Sequence, residues 1–319
     1  MVYQFWGEWA HRVLRVLAAF VLAVFTACGS SSKYDEFIPT RIISIGDQIS
    51  YLGNGYDRFT VNNVAGGTVY ENNWLLTLAR LYGVTGTNIK SKVAASANLV
   101  ENLSDQMSLV NLDPDTSSPM PNDMLVISAG LSDIIYWTDE VLRPGTSITP
   151  AGAVQKVREA GIALQQFALS QRSSYPHILI LSAYNLKNSP YVRDATPSSA
   201  VVSYGGLSKL VDDMTSAFNN GVKSSSTNQP LTFSAGVGLR LLEIDGPLLA
   251  ANFANIGITT EGLSLSACTA ATSGSGCTVA TANTNYSQYF FADDKFPSPS
   301  IHTYIGSLAY SFLRGVKGW

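Results

Sequence analysis

Residues 41–48 read Arg41-Ile42-Ile43-Ser44-Ile45-Gly46-Asp47-Gln48, a β-branched apolar run that stops at a glycine and an acid. A continuous apolar run of this length suits a strand buried on both faces, as at the centre of a parallel sheet. Three more runs share the pattern: Met124-Leu125-Val126-Ile127-Ser128, His177-Ile178-Leu179-Ile180-Leu181 and Leu239-Arg240-Leu241-Leu242-Glu243-Ile244. Segments of helical period lie between and after them. Leu99, Leu103, Met107 and Val110 share one face, as do Val154, Val157, Gly161, Leu164 and Ala168. Trp74, Leu75, Leu78 and Leu81 read as the core face of another helix. Ile301, Ile305, Leu308 and Phe312 repeat the pattern near the end, after Ser298 as N-cap and Pro299 at the first helical position. Strand–helix alternation predicts an α/β fold: a doubly wound, flavodoxin-like three-layer α/β/α sandwich with a mostly parallel central sheet.

In such a sheet the functional crevice lies beyond the carboxyl ends of the strands. That rule selects Gly46-Asp47-Gln48, Gly130-Leu131-Ser132-Asp133 and Ser182-Ala183-Tyr184-Asn185. Asp293 to His302 joins them if the last helix packs beside the first strand.

Composition narrows the function classes. With 46% apolar residues among 319, the chain can bury a large core, so disorder and a fibrous repeat are excluded. A net charge of −3 implies no nucleic-acid partner. Only 13% of residues are charged, against about 25% on average, so Ser, Thr, Asn and Gly carry the polar surface. The three histidines, His11, His177 and His302, are spaced for no zinc site, and neither a metal nor a cofactor is implied.

The first residues read as an export signal. His11, Arg12 and Arg15 precede an apolar run from Val16 to Ala27, too short to span a bilayer as a mature helix. The run ends in Phe25-Thr26-Ala27-Cys28, which resembles a bacterial lipobox, with Gly29-Ser30-Ser31-Ser32 beyond it as the start of a tether. On this reading residues 1–28 are signal and lipobox, 29–39 a flexible tether and 40–319 one domain. Cys28 carries the lipid, and the chain is anchored in the cell envelope at the outer membrane of a bacterium. A plain secreted protein and a buried structural Cys28 are the other readings.

The segments at the strand ends resemble the conserved blocks of the SGNH (GDSL) hydrolases, bacterial esterases and lipases, over roughly residues 40–316. Ile45-Gly46-Asp47-Gln48-Ile49-Ser50-Tyr51-Leu52-Gly53 is similar to the first block and Asp123 to Ile134 to the third. Lys92 to Asn98 falls at the glycine turn of the second. Asp293-Asp294-Lys295-Phe296-Pro297-Ser298 is similar to the last. Cys268 and Cys277 sit in the loop where this branch often carries a cysteine pair, and export makes a disulfide between them the expectation.

The family's chemistry needs a serine nucleophile, a histidine base, an aspartate that orients the histidine, and an oxyanion hole of serine N–H, glycine N–H and an asparagine amide. Here the nucleophile position is Gln48, whose amide is not nucleophilic. The glycine position is Ala95 or Ser96. The asparagine position is Ser132, and the base position is Phe296. Only the orienting Asp293 persists. Loss of the serine or histidine from a serine-protease triad costs about 10⁶ in kcat, so hydrolysis by this route is expected to be negligible. The resemblance therefore implies a pseudoenzyme that binds an acyl ester, a lipid or a glycan at Asp47, Gln48, Ser132 and Phe296. One alternative is an active serine esterase or lipase with a relocated Ser50–His302–Asp293 triad. The other is a structural or interaction protein of the cell envelope, with a protein partner the sequence does not name. Asp47 is expected to accept backbone N–H bonds in the turn after Gly46, and Asp133 to sit in the first turn of a helix.

Overall fold

A computed structural model describes residues 37–53, 57–62, 73–96, 98–224, 238–245, 253–268 and 276–315. Cys28, the signal and most of the tether lie outside the described residues. Five parallel strands form one sheet in the order β2-β1-β3-β4-β5: β1 (Arg41–Gly46), β2 (Ile89–Ser91), β3 (Asp123–Ser128), β4 (His177–Leu181) and β5 (Leu239–Leu242). This is the doubly wound order with its reversal between β1 and β3, so the crevice of such a sheet opens beyond the ends of those two strands. The four apolar runs are β1, β3, β4 and β5. Every residue of β1 and β3 is buried, which is why their side chains do not alternate in polarity.

Eight helices complete a three-layer α/β/α sandwich among the described residues: α1 (Trp74–Leu81), α2 (Leu103–Leu112), α3 (Leu131–Leu142), α4 (Pro150–Gln171), α5 (Pro190–Asp194), α6 (Ser199–Tyr204), α7 (Leu207–Lys223) and α8 (Pro299–Arg314). Helix α1 packs on α8, and α4 packs closely on α7. The close α4–α7 crossing needs Gly161: a Cβ there would stand 2.3 Å from the Phe218 carbonyl oxygen. Ser298 precedes α8 as expected, but its buried hydroxyl makes no capping bond.

Phe37, in the last part of the expected tether, is the first described residue. Phe37 is buried and stacks on His177, with ring centroids 3.5 Å apart. A buried ion pair closes the same end of the sheet. Arg41 Nε donates to Asp123 Oδ1 at 3.0 Å, and its guanidinium also donates to the Ser118 carbonyl. Cys268 and Cys277 form the expected disulfide. It sits in a second small core with Val61, Ala267 and Ala292, and the Asn62 amide donates to the Cys277 carbonyl at 2.8 Å.

Candidate functional site

The site is built where β1 and β3 end. Gly46 closes β1 with φ of +114°, and a Cβ there would lie 1.7 Å from the Ser128 carbonyl oxygen, so only glycine fits. Its amide donates to Gln106 Oε1 at 2.6 Å, and Gln106 Nε2 donates back to its carbonyl at 3.3 Å. A side chain from α2 thus continues the ladder past the strand end.

Asp47 does more than stabilise a local turn. Its buried carboxylate accepts the Leu131 amide at 2.8 Å and the Ser132 amide at 3.2 Å, at the start of α3 and 84 and 85 residues away. It ties the end of β1 to a helix N-terminus, where a negative charge is favoured. Burial outweighs those bonds and pushes its carboxyl up to about 7. Asp133 stands in the first turn of α3 as expected and accepts the Val100 amide at 3.2 Å. Burial, and then the charge of Asp47, push it up to about 8.

Gln48, Ala95 and Ser132 come together. Gln48 Nε2 donates to the Ala95 carbonyl at 3.2 Å, and Ser132 Oγ donates to Gln48 Oε1 at 3.4 Å. The Asn98 amide in turn donates to Ser132 Oγ at 3.4 Å. Both ends of the glutamine amide are therefore held across this niche.

Phe296 and Asp293 lie in the segment that leads into α8. Phe296 is buried against Phe59, with ring centroids 4.7 Å apart. Asp293 Oδ1 accepts the amides of Lys295 at 2.8 Å and Phe296 at 2.7 Å, so it fixes a turn in the chain. Tyr184 Oη donates to the Lys295 carbonyl at 2.6 Å and braces that turn from the end of β4.

The relocated triad is not assembled. Ser50 is fully buried, shares a hydrogen bond with Ser128 Oγ at 2.6 Å and accepts one from Trp74 Nε1 at 3.0 Å. His302 is buried in α8. The Trp74 amide donates to its Nδ1 at 3.2 Å, which leaves the ring proton on Nε2, facing the Phe59 carbonyl at 3.4 Å. The ring caps the N-terminus of α1, beside the Asn73 cap. Burial lowers His302 to about 4, so it is uncharged at neutral pH and both nitrogens are used. His177 opens β4 at the opposite end of the sheet. Among the described residues no group of three or more His, Cys, Asp or Glu side chains could hold a metal. No helix among them is long and apolar enough to cross a membrane.

A cavity of about 90 Å³ opens beside this niche, at the ends of β4 and β5, lined by Tyr184, Phe253, Phe290, Asn185, Asn188 and Asp245 among others. Asp47, Gln48, Ser132 and Phe296, the expected binding residues, are not part of the lining of this cavity. Tyr184 and Asn185 lie in a strand-end segment that the sequence selected. Phe253 opens a single 3-10 turn and Phe290 lies in irregular chain, and neither has a periodicity to mark it. Tyr136 and Trp137, candidate groove residues, pack edge-to-face on each other at 5.0 Å outside the cavity.

No family model and no curated protein matches the chain. Among solved structures it is similar to LAE5, an alpha/beta hydrolase enzyme from the metagenome of Lake Arreo, Spain, at 12% identity, covering 88% of this chain and 97% of that one, with a TM-score of 0.42. It is similar to the lipase Lip_vut3 from a goat rumen metagenome at 10% identity, covering 85% and 96%, with a TM-score of 0.45. It is also similar to Axe2, an acetylxylan esterase from Geobacillus stearothermophilus, at 10% identity, covering 88% and 98%, with a TM-score of 0.42.

Proposed function

We propose that this protein is an exported, lipid-anchored relative of the SGNH (GDSL) esterases that binds an acyl ester, a lipid or a glycan without hydrolysing it. The observation that carries the reading is the Gln48 amide, held between the Ala95 carbonyl and Ser132 Oγ at the position where the family places its nucleophile and oxyanion hole. An amide nitrogen forms no acyl intermediate. Phe296, at the base position, has no proton to move. The niche thus lacks both halves of nucleophilic catalysis, and the Gln48 amide oxygen is taken up by the Ser132 hydroxyl.

Binding chemistry remains next to it. The cavity has aromatic walls and two asparagine amides at its edge, the combination of apolar surface and a few polar groups that orients small ligands. Its volume of about 90 Å³ suits a short acyl group or part of a sugar ring better than a long fatty chain. Thermal shift tests the reading. Short-chain acyl esters or acetylated oligosaccharides are expected to raise Tm in the wild type and not in Phe253→Ser. Flat shifts across acyl esters, lipids and glycans would overturn the binding role.

A further inference from the structure

Four of the six exposed large hydrophobic side chains among the described residues gather at the amino end of the sheet. They are Ile38, Leu109, Leu112 and Met120, and Leu112 is 77% exposed. Ile38 precedes β1 and Met120 precedes β3. Leu109 and Leu112 end α2, which runs into the same connection. This surface is held in place. The Thr40 amide donates to the Asn122 carbonyl at 2.9 Å, and the Met120 amide donates to Asp123 Oδ2 at 2.7 Å. Thr116 Oγ1 donates to the Val110 carbonyl at 2.6 Å, folding the connection back on α2. The acids of this connection are neutralised: Asp113 pairs with Lys92 at 2.5 Å and Asp115 with Lys90 at 2.6 Å. The remaining two exposed hydrophobics, Tyr136 and Val202, lie singly on α3 and α6.

The chain enters the body at this same end, through Phe37 stacked on His177. Residues 29–36 reach at most about 30 Å when fully extended. A lipid on Cys28 would hold this surface within that distance of a bilayer, where a second weak contact becomes effectively intramolecular. We propose that the amino end of the sheet, through Ile38, Leu109, Leu112 and Met120, rests on the bilayer that holds the acylated Cys28, so that the cavity at the carboxyl end faces away from the membrane. Isolated apolar side chains on a charge-neutralised surface fit shallow insertion among acyl chains, and a carboxyl-end cavity turned outward stays open to ligands. This inference rests on the lipid-anchor reading of Cys28.

The test uses full-length chain extracted from membranes with its disulfide intact. A fluorophore is placed on Leu112→Cys or, as control, on Val202→Cys, and each protein is reconstituted in phosphatidylethanolamine–phosphatidylglycerol vesicles with brominated acyl chains. Mass spectrometry of the N-terminal peptide scores acylation of Cys28 separately. The expected result is at least twofold quenching at position 112 and none at 202. Equal quenching at both positions, or none at 112 in acylated protein, would overturn the orientation while leaving the anchor standing. A signal at 112 that follows protein concentration instead of brominated lipid would assign the surface to a second copy of the chain and overturn it too. An unacylated Cys28 would remove the anchor and the orientation together, and the mass distinguishes that failure from the others.

Discussion

Replacing Asp133 with Asn is expected to flatten the pH dependence of stability between pH 6 and pH 8. The Asp133 carboxyl is buried in the first turn of α3 beside Asp47, and burial first and the Asp47 charge second push it up to about 8. In the unfolded chain an aspartate titrates near 3.9. Between those values the folded chain keeps a proton that the unfolded chain has released. Stability therefore falls with rising pH at about 1.36 kcal/mol per unit for each such group. Integrated from pH 6 to pH 8, Asp133 accounts for a loss of about 2 kcal/mol. Asp47, raised to about 7 by burial, adds a loss of about 1–2 kcal/mol by the same integration. His302 acts in the opposite sense. Its folded value near 4 lies below the unfolded value of about 6.5, so its contribution is lost on acidification and recovers about 1 kcal/mol between pH 6 and 8. The net loss is about 2–3 kcal/mol, or about 4–12 °C in Tm at roughly 2–4 °C per kcal/mol. Asp133→Asn keeps an acceptor for the Val100 amide and removes the largest contribution, leaving a fall of about 1–2 °C. Thermal unfolding at fixed ionic strength in both proteins reads this directly. A wild type that becomes more stable from pH 6 to pH 8, or a variant with the wild-type slope, would refute the reasoning.

Three further outcomes follow from the same geometry. Asp123→Asn strips the buried Arg41 guanidinium of its counter-charge and is expected to cost about 3–5 kcal/mol in denaturant unfolding. The double change Arg41→Met with Asp123→Leu is expected to cost less than the single one. Reducing the Cys268–Cys277 bridge is expected to cost about 2–3 kcal/mol, read as a drop in Tm on adding a thiol that Cys268→Ser with Cys277→Ser does not show. Gly161→Val drives a side chain into the Phe218 carbonyl and is expected to destabilise by about 1–3 kcal/mol, whereas the same change at exposed Gly276, where nothing lies within 4 Å of an added Cβ, is expected to cost less.

The strand core was legible because burial on both faces writes continuous apolar runs, and β1, β3, β4 and β5 each carry one. The edge strand β2 was not: Ile89-Lys90-Ser91 has three half-buried residues and no run to read. The meeting of Gln48, Ala95 and Ser132 was legible through the resemblance of their blocks, because each sits just past a strand end. The partner of Asp47 was misplaced, since a turn acid reads as local and its real partners lie on α3. The roles of Gln106 and His302 left no mark in the sequence. Gln106 meets Gly46 across 60 residues and His302 meets Trp74 across 228, and single polar side chains with distant backbone partners produce no periodicity. The aromatic cavity was half legible. Tyr184 follows a strand, but Phe253, on a single 3-10 turn, and Phe290, in irregular chain, are brought to it only by the fold.

Ester turnover by the full-length wild type, combined with fluorophosphonate labelling, tests the central claim most directly. With Gln48 at the nucleophile position and Phe296 at the base position, hydrolysis of short-chain aryl esters is expected to stay at the buffer background and no serine is expected to take the label. Turnover well above background that the fluorophosphonate abolishes, with the label on Ser50, Ser132 or another serine, would contradict it.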